Sequence, residues 1–114
     1  MKRWWWFYET RAGRRPVKDF LDALDDVDAA AIAIEMRDVA REGARAARHL
    51  RGDVYEVRAD GSKQTFRILF ALEGRRGQVL LALEGFSKKT RRTPKPALEL
   101  AERRLADWRR RGQS

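Results

Sequence analysis

The hydrophobic period of this chain changes from helical to two near Asp53, and that change limits the folds open to it. Before it, apolar residues recur at helical spacing. Val17, Phe20, Leu21 and Leu24 fall at i, i+3, i+4 and i+7 behind Pro16, a residue suited to a first helical turn. Ile32, Met36 and Val39 share one face of a second helix over about Val27–Glu42. Asp25, Asp26 and Asp28 are its capping and dipole-matching acids, and Gly43 is its stop. After Asp53 the period is two. Val54–Arg58 alternates, Asp60-Gly61 signals a hairpin, Gln64–Glu73 is the next strand, Gly74–Gly77 turns, and Gln78–Phe86 is a third. The chain closes on a helix over Ala97–Arg111, with Leu98, Ala101, Leu105 and Trp108 as its buried stripe.

A strand is also expected at the start, over residues 3–10. Trp4, Trp6 and Tyr8 then face one side and Trp5 and Phe7 the other. A run apolar on both faces suits a central strand, with its tryptophans in the core. The expected order is β-α-α-β-β-β-α. That is an α+β fold, with helices packed on one face of an antiparallel-rich sheet, in one domain over residues 1–114.

Composition narrows the chemistry. There is no cysteine, which excludes a disulfide framework, thiolate metal sites and a cysteine nucleophile; a single histidine, His49, excludes His-rich metal centres. No apolar run approaches the roughly 18 residues that span a bilayer, and residues 1–3 do not begin a signal peptide, so a soluble cytoplasmic protein with no membrane partner is expected. The net charge is +9, and residues 86–114 hold ten basic against three acidic groups. A positive field focused in the last quarter draws polyanions, nucleic acid first among them.

Three segments carry a more specific signal. Leu50-x-Gly52-x-x-Tyr55-Glu56-x-Arg58, then Phe66-Arg67-Ile68, then Phe86-x-Lys88-Lys89-Thr90-x-x-Thr93-Pro94 resemble the HigB-like, phage-protein-derived branch of the RelE/ParE toxin superfamily. The aromatic first strand, the Pro16-Val17-x-x-Phe20-Leu21 helix and the late stretch from Leu98 to Arg103 fit the same family, so the likeness runs over about residues 4–108. It implies a RelE-like fold and a type II toxin: a small basic endoribonuclease held inactive by a cognate antitoxin, a HigA-like helix-turn-helix protein. Ribosome-bound mRNA is the usual substrate of the RelE and HigB branches. The ParE branch keeps the fold and inhibits DNA gyrase instead, and a nucleic-acid-binding homologue without activity is a third reading.

The residues themselves suit cofactor-free and metal-independent RNA cleavage, in which the 2′-hydroxyl attacks the adjacent phosphate. That reaction needs a base, cations for the charge developing on phosphate, and an acid for the leaving 5′-oxygen. Glu56 and Arg58, at i and i+2, share a strand face, and Arg67 lies across the hairpin; a Glu56-Arg58-Arg67 patch facing away from the helices would be a concave cationic surface. Arg58 and Arg67 are candidate phosphate clamps, because a planar guanidinium donates two parallel hydrogen bonds. Glu56 is a candidate base, or the partner of a surface ion pair with Arg58 or Arg67. Lys88 or Lys89, on the basic loop, is the family's candidate for holding RNA backbone or stabilising the transition state. Arg91, Arg92 and Lys95 are candidate phosphate-tracking charges, which set affinity and salt dependence without reading sequence. Thr90, Thr93 and Pro94 shape the loop. His49 stands apart from the patch, and no residue marks itself as the leaving-group acid.

Overall fold

The central strands are apolar on both faces, so the sheet has to be covered twice. The computed structural model describes residues 1–88 and 92–112. Within them the chain runs β1 (Trp4–Phe7), α1 (Pro16–Asp22), α2 (Asp26–Glu42), a 3-10 turn (Gly43–Ala46), β2 (Arg48–Arg51), β3 (Val54–Asp60), β4 (Thr65–Glu73), β5 (Val79–Lys88) and α3 (Lys95–Arg110). The strands form one sheet in the order β1-β5-β4-β3-β2, with β1 parallel to β5 and the other pairs antiparallel. The α+β class stands, with one strand more than the period indicated. Among the described residues, no helix is long and apolar enough to cross a membrane.

On one face, Val17 of α1 and Ile32, Met36 and Val39 of α2 pack on Val57, Ala59, Phe66, Ile68, Phe70, Leu80 and Ala82. Asp25 caps α2, its carboxylate accepting from the Asp28 N–H at 2.9 Å, and Gly43 ends the helix at φ 79°. On the other face, Ala101, Leu105 and Trp108 of α3 cover Val54, Leu69, Ala71, Leu81 and Leu83. Helices therefore lie on both sides of the sheet, not on one as the element order suggested. The alternation along β4 explains it: Phe66, Ile68 and Phe70 point to one side, Leu69 and Ala71 to the other, and all five are buried. A bulge at Leu83, where Leu69 pairs with Glu84 and Phe70 with Ala82, turns Leu83 and Glu84 toward α3. There Arg104 donates to the Leu83 carbonyl at 2.7 Å and to Glu84 at 3.2 Å. Gly85 follows because a Cβ at that position would lie 2.7 Å from the Phe20 ring.

The first strand departs from expectation. β1 is an edge strand, not a central one, and only its odd residues enter the core beneath α1 and α2. Trp5 packs edge-on to Phe70 at 5.0 Å and donates from Nε1 to the Met36 carbonyl at 2.8 Å. Trp4 and Trp6 remain 39% and 47% exposed. Tyr8, just beyond the strand, is buried on the α3 side.

Candidate nucleic-acid interface

Strand register assembles a charged patch on the face that α3 covers. On β3, Glu56 and Arg58 follow Val54 on that face; on β4, Arg67 precedes Leu69. Arg58 pairs directly with Arg67, Arg48 of β2 with Glu56, and Phe86 of β5 with Arg67. Three arginines thus surround one carboxylate, beneath the point where α3 begins. The sequence-expected trio of Glu56, Arg58 and Arg67 is brought together. It does face away from α1 and α2, but it is not the open surface that was expected. Glu56 and Arg67 are each 1% exposed, and Thr93, just before α3, lies against Glu56.

Hydrogen bonds fix the carboxylate. Glu56 Oε1 accepts from Arg58 Nε at 2.5 Å, and Glu56 Oε2 accepts from Thr93 Oγ1 at 2.5 Å. The ion pair is half-buried, with Glu56 covered and Arg58 30% exposed, and the second Glu56 tie reaches 37 residues along the chain. A pair withdrawn from water needs such extra hydrogen bonds to offset its desolvation. Burial, first, and the like charges of Arg58 and Arg48 hold the Arg67 pKa below its ordinary value, against the opposing pull of Glu56. Arg67 is therefore a buried cation beside two others, with Glu56 as the opposing charge.

Two clefts flank the start of α3. One, of about 450 Å³, is lined by Arg48, Leu50, Arg92, Thr93 and Leu98. The other, of about 360 Å³, lies among Glu84, Phe86, Ser87, Pro94, Pro96 and Ala97. Arg92 and Lys95 are exposed at this rim, and the α3 N-terminus adds its positive dipole end. Lys88 is the last residue of β5, paired with Thr65. Its side chain, together with Lys89, Thr90 and Arg91, lies outside the described residues. His49 pairs with Tyr55 on the opposite face, its ring 5.1 Å from the Tyr55 ring and its Nε2 2.8 Å from the Gly52 carbonyl, so it stands away from the patch. Among the described residues, no group of three or more His, Asp or Glu side chains is placed to hold a metal ion.

Two members of the site escaped the sequence reading. Arg48 sits on β2, a four-residue strand with a single apolar residue and a register shift, too short and polar to show a period. Thr93 was taken only as a loop-shaping residue; its hydroxyl is the tie between the α3 approach and Glu56.

Comparison with known proteins places this geometry in a family. The model of the family described as Phage derived protein Gp49-like (DUF891) matches residues 19–106, which contain the three strands of the arginine patch and most of α3. The chain belongs to the Gp49-like family. Two curated relatives, both named Probable endoribonuclease HigB1, come from Mycobacterium tuberculosis strains CDC 1551 / Oshkosh and ATCC 25618 / H37Rv. Each is 34% identical over 109 residues, covering 93% of this chain and 85% of the relative. For a Gp49-like protein the patch has a plain chemical capacity: guanidinium groups around one committed carboxylate, beside a cleft open to solvent, can hold a phosphodiester.

Proposed function

We propose that this Gp49-like protein is the toxin of a type II toxin–antitoxin pair, a cytoplasmic endoribonuclease that cleaves mRNA on the ribosome. A single domain over residues 1–114 carries the activity, and a HigA-like helix-turn-helix antitoxin restrains it. The observation that carries this reading is the convergence of Arg48, Arg58 and Arg67 around Glu56 at a cleft beside the α3 N-terminus. The likeness to the HigB1 relatives supports the reaction class.

In the proposed mechanism the substrate's 2′-hydroxyl gives its proton to solvent water as its oxygen attacks the adjacent phosphorus, and the bond to the 5′-oxygen breaks as that oxygen takes a proton from water. This leaves a 2′,3′-cyclic phosphate and a 5′-hydroxyl. Arg58, 30% exposed, and Arg67, once RNA binding uncovers it, hold the non-bridging oxygens, where negative charge grows in the transition state. Lys88, the last residue of β5, and Lys89, next in sequence, supply cations to the leaving side. Arg92, Lys95 and Arg91 track flanking phosphates. Glu56 acts through its neighbours: with one oxygen on Arg58 and the other on Thr93, it aims the guanidinium and holds the loop end against the sheet.

The test is to induce the protein in bacteria and map RNA 5′ ends during growth arrest. New ends within transcripts are the expected result. Arrest with intact transcripts and accumulating DNA breaks would overturn the nuclease reading in favour of gyrase inhibition.

A further inference from the structure

β1 divides its tryptophans between two faces. Trp5 enters the core beneath α1 and α2, whereas Trp4 and Trp6 emerge on the α3 side and stay largely in solvent. Trp6 meets Trp108 of α3 in an edge-type contact at 6.0 Å, which fixes its ring while leaving much of it uncovered. Two clefts open beside that ring. One, of about 540 Å³, is lined by Trp6, Arg75, Gln78 and Val79; the other, of about 390 Å³, by Trp6, Trp108, Glu9 and Arg15. Exposed indoles beside clefts mark a binding surface. The proposed cleavage does not use this one: it adjoins the C-terminal end of α3, and the arginine patch lies at the N-terminal end of that 16-residue helix, about 24 Å away.

The surroundings are cationic, and the cations sit on built turns. Arg75 and Arg76 lie in the turn before β5, beside the start of β1. There the Gly77 amide donates to the Gly74 carbonyl at 3.2 Å, and the Gln78 side chain accepts from the Arg76 amide at 2.9 Å. Arg14 and Arg15 follow the end of β1, in a turn closed by the Thr10 amide on the Arg14 carbonyl at 2.8 Å. All four arginines are exposed, and none makes an ion pair among the described residues. Arg109 and Arg111, on the adjoining end of α3, are by contrast matched with Glu73, Asp53 and Asp107. Glu73, which lines the first cleft, is thereby committed, and Glu9 stands at the rim of the second.

We infer that this face is a second RNA contact, remote from the cleavage patch, where bases of a single strand stack on Trp6 and Trp4 while their phosphates meet Arg75, Arg76, Arg14 and Arg15. Every base has a π-face to lay on an indole, and cations alongside track the backbone. The strand has to be single, because the bases of a duplex are already stacked on one another. Trp4 and Trp6 are two residues apart on one strand face, about 7 Å, so neighbouring bases have a platform each. A second copy of this chain would set the same arginines against each other. An acidic peptide would answer the arginines alone, whereas a nucleotide strand brings anion and ring together.

The test uses the full chain, isotope-labelled for NMR, and a dodecamer of oligoadenosine 2′-O-methylated throughout, which has no free 2′-hydroxyl to cleave it. Titration should shift the indole N–H signals of Trp6 and Trp4, while that of Trp5, bonded to the Met36 carbonyl, stays in place. Trp6→Ala should weaken the affinity read at Trp4 by about 5–150-fold, the worth of one stacked base, and Trp6→Phe should keep most of it. Arg15→Glu with Arg75→Glu should abolish the shifts; both positions are exposed, and circular dichroism checks that the fold is retained. Arg67→Gln, at the far patch, should leave the shifts intact. No shift at Trp6 with millimolar oligonucleotide would overturn the inference. So would a shift that vanishes with Arg67→Gln, or one that adenosine monophosphate or a peptide alternating valine and glutamate produces at the same concentration. The oligonucleotide is not cleaved, so this result is independent of the nuclease reading.

Discussion

The two ends of α3 carry similar numbers of arginines and use them in opposite ways. At the C-terminal end each cation meets a carboxylate. Arg109 donates to Glu73 at 2.9 Å and to Asp53 at 2.9 Å, and its pKa is raised, chiefly by the Glu73 hydrogen bond. Arg111 lies 2.9 Å from Asp107, which also accepts from the Tyr8 hydroxyl at 2.6 Å. At the N-terminal end, among the described residues, Arg48, Arg58, Arg67, Arg92 and Lys95 gather near Glu56, with Glu84 lining the second cleft. The first arrangement neutralises itself and ties α3 to the sheet. The second brings a group of cations together beside a cleft. The matched charges hold the fold, and the cation-rich end offers the proposed phosphate a positive field.

Substitutions can break this contrast. The largest effect is expected from Arg67→Gln, which keeps much of the side-chain bulk but removes the cation. RNA cleavage should fall by about 10²–10³-fold, the usual cost of losing one transition-state donor. Single-turnover cleavage, with circular dichroism to confirm folding, checks it. Arg109→Gln should do the reverse: urea unfolding should show a loss of about 1–3 kcal/mol, because the nearly buried Glu73 loses its charged partner, while cleavage per folded molecule is unchanged. Thr93→Val should lower cleavage about tenfold and stability by about 1 kcal/mol, the worth of one hydrogen bond. Arg92→Ala and Lys95→Ala should each reduce the salt dependence of RNA affinity, by about 0.7 in the log–log slope for single strands.

The smallest effect is a pH dependence confined to the C-terminal end. The Asp107 pKa is lowered, first by the Tyr8 hydrogen bond, so its contribution is complete above the ordinary carboxylate range and disappears as pH falls through the lowered value. The Tyr8 pKa is raised, first by burial and then by Asp107, so its contribution holds below about pH 10 and is lost as pH rises through the higher folded value. Tyr8→Phe should flatten both limbs of the stability profile and leave RNA cleavage intact.

What the linear sequence discloses follows the range of each interaction. The helix stripes were legible because Ile32, Met36 and Val39, and Ala101, Leu105 and Trp108, repeat within a few residues, and all six are buried. The shared face of Glu56 and Arg58 was legible from strand alternation, and Arg67 from its place across one hairpin. The Thr93 bond to Glu56, the cover of α3 and the parallel pairing of β1 with β5 join distant parts of the chain and leave no local mark. Charge counting could not separate two uses of the basic residues after Gly85. Arg104, Arg109, Arg110 and Arg111 face Glu84, Glu73, Asp53 and Asp107, whereas Arg92 and Lys95 stand exposed at the cleft rim. The proposed site also draws on Arg48, Arg58 and Arg67, earlier in the chain.

The central claim is that this patch stabilises a reaction in which the RNA supplies its own nucleophile. The direct measurement maps the cleavage site on a ribosome-bound message, then repeats the assay, in EDTA where ribosome integrity permits and otherwise on free RNA, with a single 2′-deoxy nucleotide at that site. The account predicts 2′,3′-cyclic phosphate ends on the normal substrate and loss of cleavage on the deoxy one. Cleavage that survives the deoxy substitution would contradict it.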